Sequence, residues 1–170
     1  MAEGHASSPF APELLLTTLA GHGVRFVLIG ALAARLNGFP RVTADADLAP
    51  ARDHENLERL AAALRALDAR VYTDGVPEGL AFDCTAVTLA RADGWNLVTS
   101  AGRVDLLFHP AGVVSFDELA TEAERFEVFG VALLGAPLRA ILRMKEAADR
   151  PKDRQDAAVI RAMIARDAAT

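Results

Sequence analysis

Apolar positions along this chain change their period from one segment to the next, and each period predicts an element. Leu57, Leu60, Leu64 and Leu67 recur at helical spacing within DHENLERLAAALRAL, 53–67, which predicts an amphipathic helix with Asp53 at its start. VRFVLIG, 24–30, is a nearly continuous apolar run closing on glycine and reads as a buried strand. ALAARLNG, 31–38, follows it as a short helix stopped at Asn37-Gly38, and VTADADLAP, 42–50, alternates as a second strand ended by Pro50. A first helix is expected over 11–22, a short strand over 69–73, and two strands over 96–100 and 103–108 joined at Ala101-Gly102. The stretch 74–94 reads as loop chemistry at DGVPEG with a helix over 83–91. Ser115 and Glu118 have capping-box spacing ahead of a helix over 115–124, and a strand pair is expected around Gly130. The end is helical over 137–149 and again from 152 to about 167, with Pro151 in the first turn of the last helix. Hairpins beside strand–helix–strand units predict an α+β fold with a mixed sheet, flanking helices and a helical C-terminus. The expected organisation is a core over 1–136 and a helical segment over 137–170 packed on it.

Composition narrows the classes. The 170 residues are 52% hydrophobic, so a sizeable core can form, and the net charge of -5 argues against a whole-surface polyanion binder. It leaves room for a local basic groove. Cys84 is the only cysteine and MAEGHASSPFAPE has no signal-peptide pattern, so a reducing, cytoplasmic setting without membrane attachment is expected. Sixteen arginines stand against two lysines, Lys145 and Lys152, both near the C-terminal end. A compact, flexible point charge that arginine cannot imitate is one explanation; chance survival in an arginine-favouring composition is the other.

With thirteen aspartates in the chain, about one DxD is expected by chance, so Asp45-Ala46-Asp47 says little alone. Its surroundings say more. Residues two apart on a strand point the same way, so both carboxylates can reach one cation cluster. The preceding strand ends at Gly30 and opens a helix whose free N–H groups can meet phosphate. RVDLLF adds Asp105 within an apolar strand, where a carboxylate is costly unless paired or metal-bound. Alternation leaves a second possibility, that Asp105 merely faces solvent between inward Val104 and Leu106. Three carboxylates converging beside a helix start are what two-metal phosphoryl or nucleotidyl transfer requires.

FVLIGALAARLNGFPRVTADADLAP resembles the signature of the polymerase-β-like nucleotidyltransferase superfamily: an apolar strand, a glycine, a short helix and a DxD on the next strand. Within it, RVTADAD, 41–47, and RMKEAADRPKDRQD, 143–156, are similar to the small bacterial AbiEii-type and related toxin-associated nucleotidyltransferases. The resemblance covers about residues 24–160. It implies that Gly30 shapes the turn beside the phosphates, that Asp45 and Asp47 bind Mg²⁺ or Mn²⁺, and that Asp105 is the third metal-binding and catalytic carboxylate. Where many relatives carry Gly or Ser after the first glycine, this chain has Ala31, which offers a backbone N–H but no hydroxyl.

Lys145 and Lys152 flank the Pro151 break and are candidate triphosphate contacts, with Asp153 and Asp156 positioning the helix; a solvated helix surface is the plainer alternative. Arg41 is a candidate triphosphate or acceptor contact, or a partner for Asp45 or Asp47. His5, His22, His54 and His109 lack zinc-ligand spacing, although His109 directly follows RVDLLF and can lie near the site. Cys84, Trp95 and Phe108 read as core. The expected function is transfer of a nucleoside monophosphate from an NTP to a hydroxyl, on the end of a tRNA or on a protein side chain. The resemblance adds a toxin or antitoxin role, with a cognate antitoxin or toxin as partner. The competing expectation is a weak or inactive toxin–antitoxin partner that acts by protein binding, which Ala31 favours and the intact acids oppose.

Overall fold

The computed structural model describes residues 8–170, and local sequence signals set most of its element boundaries. Helix α1 (Pro12–Gly21) starts on a proline, whose missing N–H costs nothing there, and buries Leu15, Leu16 and Leu19. Strand β1 (Phe26–Ile29) is buried throughout and runs directly into α2 (Gly30–Leu36). After β2 (Asp45–Pro50), α3 (His54–Ala66) is capped by Asp53, whose carboxylate accepts from the Asn56 N–H. Next come β3 (Arg70–Thr73), β4 (Val76–Leu80) and α4 (Ala86–Leu89). The hairpin of β5 (Gly94–Thr99) and β6 (Gly102–Leu107) leads to α5 (Phe116–Glu122) and a second hairpin, β7 (Glu124–Val128) and β8 (Val131–Gly135). Helices α6 (Leu138–Ala148) and α7 (Pro151–Ala168) close the chain and pack on each other.

The strands form one eight-stranded sheet in the order β4-β3-β5-β6-β2-β1-β8-β7. It is mixed: β1 pairs antiparallel with β2, whereas β2 with β6 and β1 with β8 are parallel. The fold is therefore α+β, as the alternation of hairpins and strand–helix–strand units predicts. Pairing fixes which residues share a face. Ala46 stands beside Val104 and Leu48 beside Leu106, and all four are buried in one hydrophobic core with the leucines of α1 and α3. The residues between them, Asp45, Asp47 and Asp105, must then emerge on the opposite face. Asn56 ties this frame together. It is fully buried, accepts from the Arg25 N–H (2.7 Å), and donates to the carbonyls of Arg25 (2.9 Å) and Ala51 (2.7 Å).

Three local expectations need correction. DGVPEG reads as a loop, yet Val76–Leu80 is the terminal strand of the sheet, where Pro77 and Gly79 are tolerated because an edge needs bonds on only one side. The helix expected over 83–91 shrinks to the single turn of α4. Ser115 does accept from the Glu118 N–H (3.1 Å), but the return bond of a full capping box is absent among the described residues. Among those residues, no helix is long and apolar enough to cross a membrane.

Candidate active site

Gly30 is where the cleft begins. It has φ +66, a left-handed conformation that glycine adopts at no steric cost, and this lets β1 turn sharply into α2. A β-carbon built there would lie 2.9 Å from Cγ of Asp47 and closer still to its Oδ2. The glycine thus makes room for the Asp47 carboxylate as well as for the turn. Gly30→Ala is accordingly expected to displace that carboxylate and lower stability by about 1–2 kcal/mol. Urea unfolding checks the stability, and an unchanged unfolding midpoint would show that Asp47 can move aside freely.

Parallel register places Asp47 directly beside Asp105, and Asp45 beside Arg103. The Asp105 carboxylate therefore faces solvent only in the sense that the site does. Thr43 steadies Asp45, its hydroxyl donating to Oδ1 at 3.0 Å. Burial, then the charges of Asp105 and Asp45, pushes the Asp47 carboxyl from 3.8 up to about 7, against the pull of Lys145 and Lys152. Asp105 is also raised, by burial and by Asp45, with Arg103 opposing. One of its oxygens, Oδ1, is buried without a hydrogen-bond partner.

Across from these acids stand the cations of α6 and α7. The Lys145 ammonium, 13% exposed, pairs with Asp156 at 2.9 Å and Asp153 at 3.4 Å; those carboxylates are 9% and 2% exposed. Arg150 donates to Asp153 at 2.6 Å, and Arg41 to Asp156 at 2.6 Å. Burial favours a protonated Asp153, but Arg150 and Lys145 together hold its carboxyl below the ordinary range. Arg41 thus partners Asp156 on α7, and not Asp45 or Asp47. Lys152 is exposed and makes no ion pair among the described residues, yet its charge reaches Asp47.

All eight residues singled out in the sequence, Gly30, Ala31, Arg41, Asp45, Asp47, Asp105, Lys145 and Lys152, line one cleft of about 580 Å³. Thr43 and Arg150 line it too, along with an apolar rim of Val42, Leu107 and Pro110. Sequence reasoning passed over these. Arg150 was legible as an arginine beside the lysine–acid pattern, whereas Val42 and Pro110 carry no local signal. His109 is not among the lining residues; its ring meets Arg52 at 2.9 Å. His22 and His54 sit on helix surfaces against Thr18 and Glu58, and His5 lies outside the described residues. Trp95 stacks on Phe82 with centroids 5.4 Å apart, and Phe108 and Cys84 are buried in the core, as expected.

Donor chemistry says what such a cleft can hold. Three carboxylates offer hard oxygen ligands of the kind that Mg²⁺ and Mn²⁺ prefer, and the orphaned Oδ1 of Asp105 is a buried acceptor awaiting a partner. Among the described residues, no three His, Cys, Asp or Glu side chains come together closely enough to hold a metal ion as they stand. The acids share a face and repel one another, and the facing cations supply what a polyphosphate needs.

The sequence matches no family model and no curated protein. Among solved structures, a candidate nucleotidyltransferase of Thermotoga maritima is similar over 95% of this chain and 99% of its own, at 14% identity and a TM-score of 0.52. The antibiotic-resistance factor ANT(2'')-Ia is similar over 93% of this chain and 91% of its own, at 16% identity and a TM-score of 0.49. The mixed eight-stranded sheet with its flanking helices is a nucleotidyltransferase-like fold.

Proposed function

We propose that this chain moves a nucleoside monophosphate from an NTP to an acceptor hydroxyl. The reading rests on one juxtaposition. Asp45, Asp47 and Asp105 share a sheet face in register, and they look across a single cleft at Lys145, Lys152, Arg41 and Arg150. Acids on one wall and cations on the other suit a metal-bound triphosphate better than a neutral substrate.

In this scheme Asp45, Asp47 and Asp105 would draw together to hold Mg²⁺ or Mn²⁺. The cation, when bound, offsets triphosphate charge and lowers the pKa of the attacking hydroxyl. Lys152, without an ion pair among the described residues, meets the β- and γ-phosphates, while Lys145 and Arg41 contribute from positions set by Asp153 and Asp156. Backbone N–H groups at Gly30 and Ala31 steady the phosphates, without the hydroxyl that a serine would add. Asp105 receives the proton of the acceptor hydroxyl. A bond forms from the acceptor oxygen to the α-phosphorus, the bond to the α–β bridging oxygen breaks, and pyrophosphate leaves with the electron pair. The setting is cytoplasmic in this reading. The toxin role implied by the sequence resemblance would follow if the acceptor were essential to growth.

Ala31 favours a second reading, a protein that kept the scaffold and lost catalysis. The two separate in one experiment. Mg²⁺ with the right NTP is expected to raise the melting temperature through ligand linkage. Label in the α-phosphate is then expected to pass to RNA or protein from a lysate. No thermal shift and no transfer, with any of the four NTPs at millimolar metal, would leave the binding partner as the better reading.

A further inference from the structure

The carboxylate-bearing face of the sheet continues past the cleft across β6, β5 and β3, and there its charge changes sign. Arg103 precedes Asp105 by two residues on β6 and stands beside Asp45, so it emerges on that same face. Asn96 pairs with Asp105, Val98 with Arg103, and Arg70 with Val98, which brings Tyr72 onto this face as well. The Arg103 guanidinium carbon lies 3.7 Å from the centre of the Tyr72 ring. Among the described residues, Arg103 has no ion pair and no side-chain hydrogen bond, and two buried side-chain polar atoms lack a partner. They are Nε of Arg103 and Oδ1 of Asp105. Leaving such atoms unpaired is costly, and the cost recurs here on one face of one strand, two residues apart.

We propose that Arg103, seated on Tyr72, is the acceptor-side anchor. It binds a phosphodiester next to the acceptor hydroxyl, so the acceptor is the end of a nucleic-acid strand. This inference rests on the nucleotidyl-transfer reading above. In-line displacement puts the acceptor opposite the leaving pyrophosphate. The cations of α6 and α7 mark the pyrophosphate side, which leaves the β6–β5–β3 face for the acceptor. An anionic strand approaching Asp45 and Asp105, on a chain of net charge -5, needs a cation beside those acids. Arg103 is that cation. A guanidinium held on a ring presents donors suited to phosphate. Arg70 is less free, because its Nε already donates to the Gly79 carbonyl at 3.0 Å. Asn96 and Leu107 are exposed while Arg103 and Tyr72 are half-buried over the buried Val98, so the face is a shallow shelf, as suits a strand laid along it more than a small molecule enclosed in a pocket. A protein hydroxyl would bring no phosphate and would leave Arg103 unpaired.

The test uses the full chain with Mg²⁺, labelled NTP and short RNA. Arg103→Gln is expected to raise the KM for RNA about tenfold and to flatten the salt dependence of RNA binding by about one charge. The kcat and the NTP-induced thermal shift are expected to fall by less than the KM rises, because Arg103 also opposes the raised Asp105 carboxyl. Arg103→Lys should recover part of the RNA affinity, and Tyr72→Phe, which keeps the ring, should bind RNA like wild type. A folded Arg103→Gln protein with unchanged KM for RNA overturns the proposal, as does transfer to lysate protein with RNA left unlabelled. Should wild type transfer to nothing, the transfer reading fails separately. Fluorescence anisotropy with the same RNA then decides: equal affinity of wild type and Arg103→Gln overturns the anchor, and a tenfold loss supports it.

Discussion

Asp47→Asn is expected to cut nucleotidyl transfer by about three orders of magnitude or more, because an amide keeps the size of the side chain but loses the charge that holds a divalent cation. The same change is expected to stabilise the fold when no cation is added. Asp47 ionises only near pH 7 in the folded protein, against an ordinary value of 3.8. Between those values the folded state keeps a proton that the unfolded chain has released. Stability is thus highest below the ordinary value, falls as pH rises toward 7, and stays low above it. The full loss is on the order of 4 kcal/mol, an upper limit because part of the shift comes from the neighbouring carboxylates Asp105 and Asp45. Asparagine removes this slope, so the variant should outlast wild type in urea at about pH 8 in EDTA and lose the advantage at about pH 4. A folded Asp47→Asn protein that still transfers label at the wild-type rate would remove the metal-centred mechanism.

Lys145→Ala and Lys152→Ala are expected to fail in different ways. Lys145 neutralises two carboxylates that are nearly out of solvent, and only Arg150 and Arg41 would remain to face them. Its loss is expected to cost about 3 kcal/mol of stability along with transfer. Lys152 is exposed and unpaired among the described residues, so its loss should change stability by no more than about 0.5 kcal/mol. Transfer should nevertheless fall at least tenfold, by loss of one charge-assisted phosphate contact. Lys152→Arg then reports whether charge alone suffices: near-normal transfer says that it does, and a loss close to that of alanine says that a compact ammonium is required. Urea midpoints and single-turnover transfer measure both effects. Full activity in Lys152→Ala would take Lys152 out of the triphosphate site, and wild-type stability in Lys145→Ala would mean that the buried acids need no lysine.

Much of this was legible in the sequence because local rules and tertiary packing agree here. The leucines of α3, the cap at Asp53, Pro151 and the turns at Gly30 and Gly102 act within a few residues of themselves. The orientation of Asp105 was not legible. Alternation puts it opposite Val104 and Leu106, which argues equally for solvent and for a site; only the parallel pairing of β6 with β2 decides, and no local signal encodes that. Arg41 finding Asp156 is the same problem over a longer range. Strand β4 failed for the opposite reason. Its Pro77 and Gly79 are strong loop signals, and an edge position overrides them. Arg103 lay in plain view in RVDLLF, two residues before Asp105, but an arginine carries no functional signal until its neighbours on β3 and β5 are known.

The ladder joining β2 to β6 also bears on when the two walls of the cleft meet. Between those strands the chain passes through α3, β3, β4, α4 and β5, and the facing cations come later still, from α6 and α7. Contacts of such sequence separation form slowly, since loop-closure entropy is lost before the contacts repay it. During synthesis the acids leave the ribosome well before Lys145 and Lys152, and they have no cationic wall to face until α7 has docked. On the transfer reading, a chain in which α7 has not docked has the carboxylates but lacks the cations proposed to meet the triphosphate.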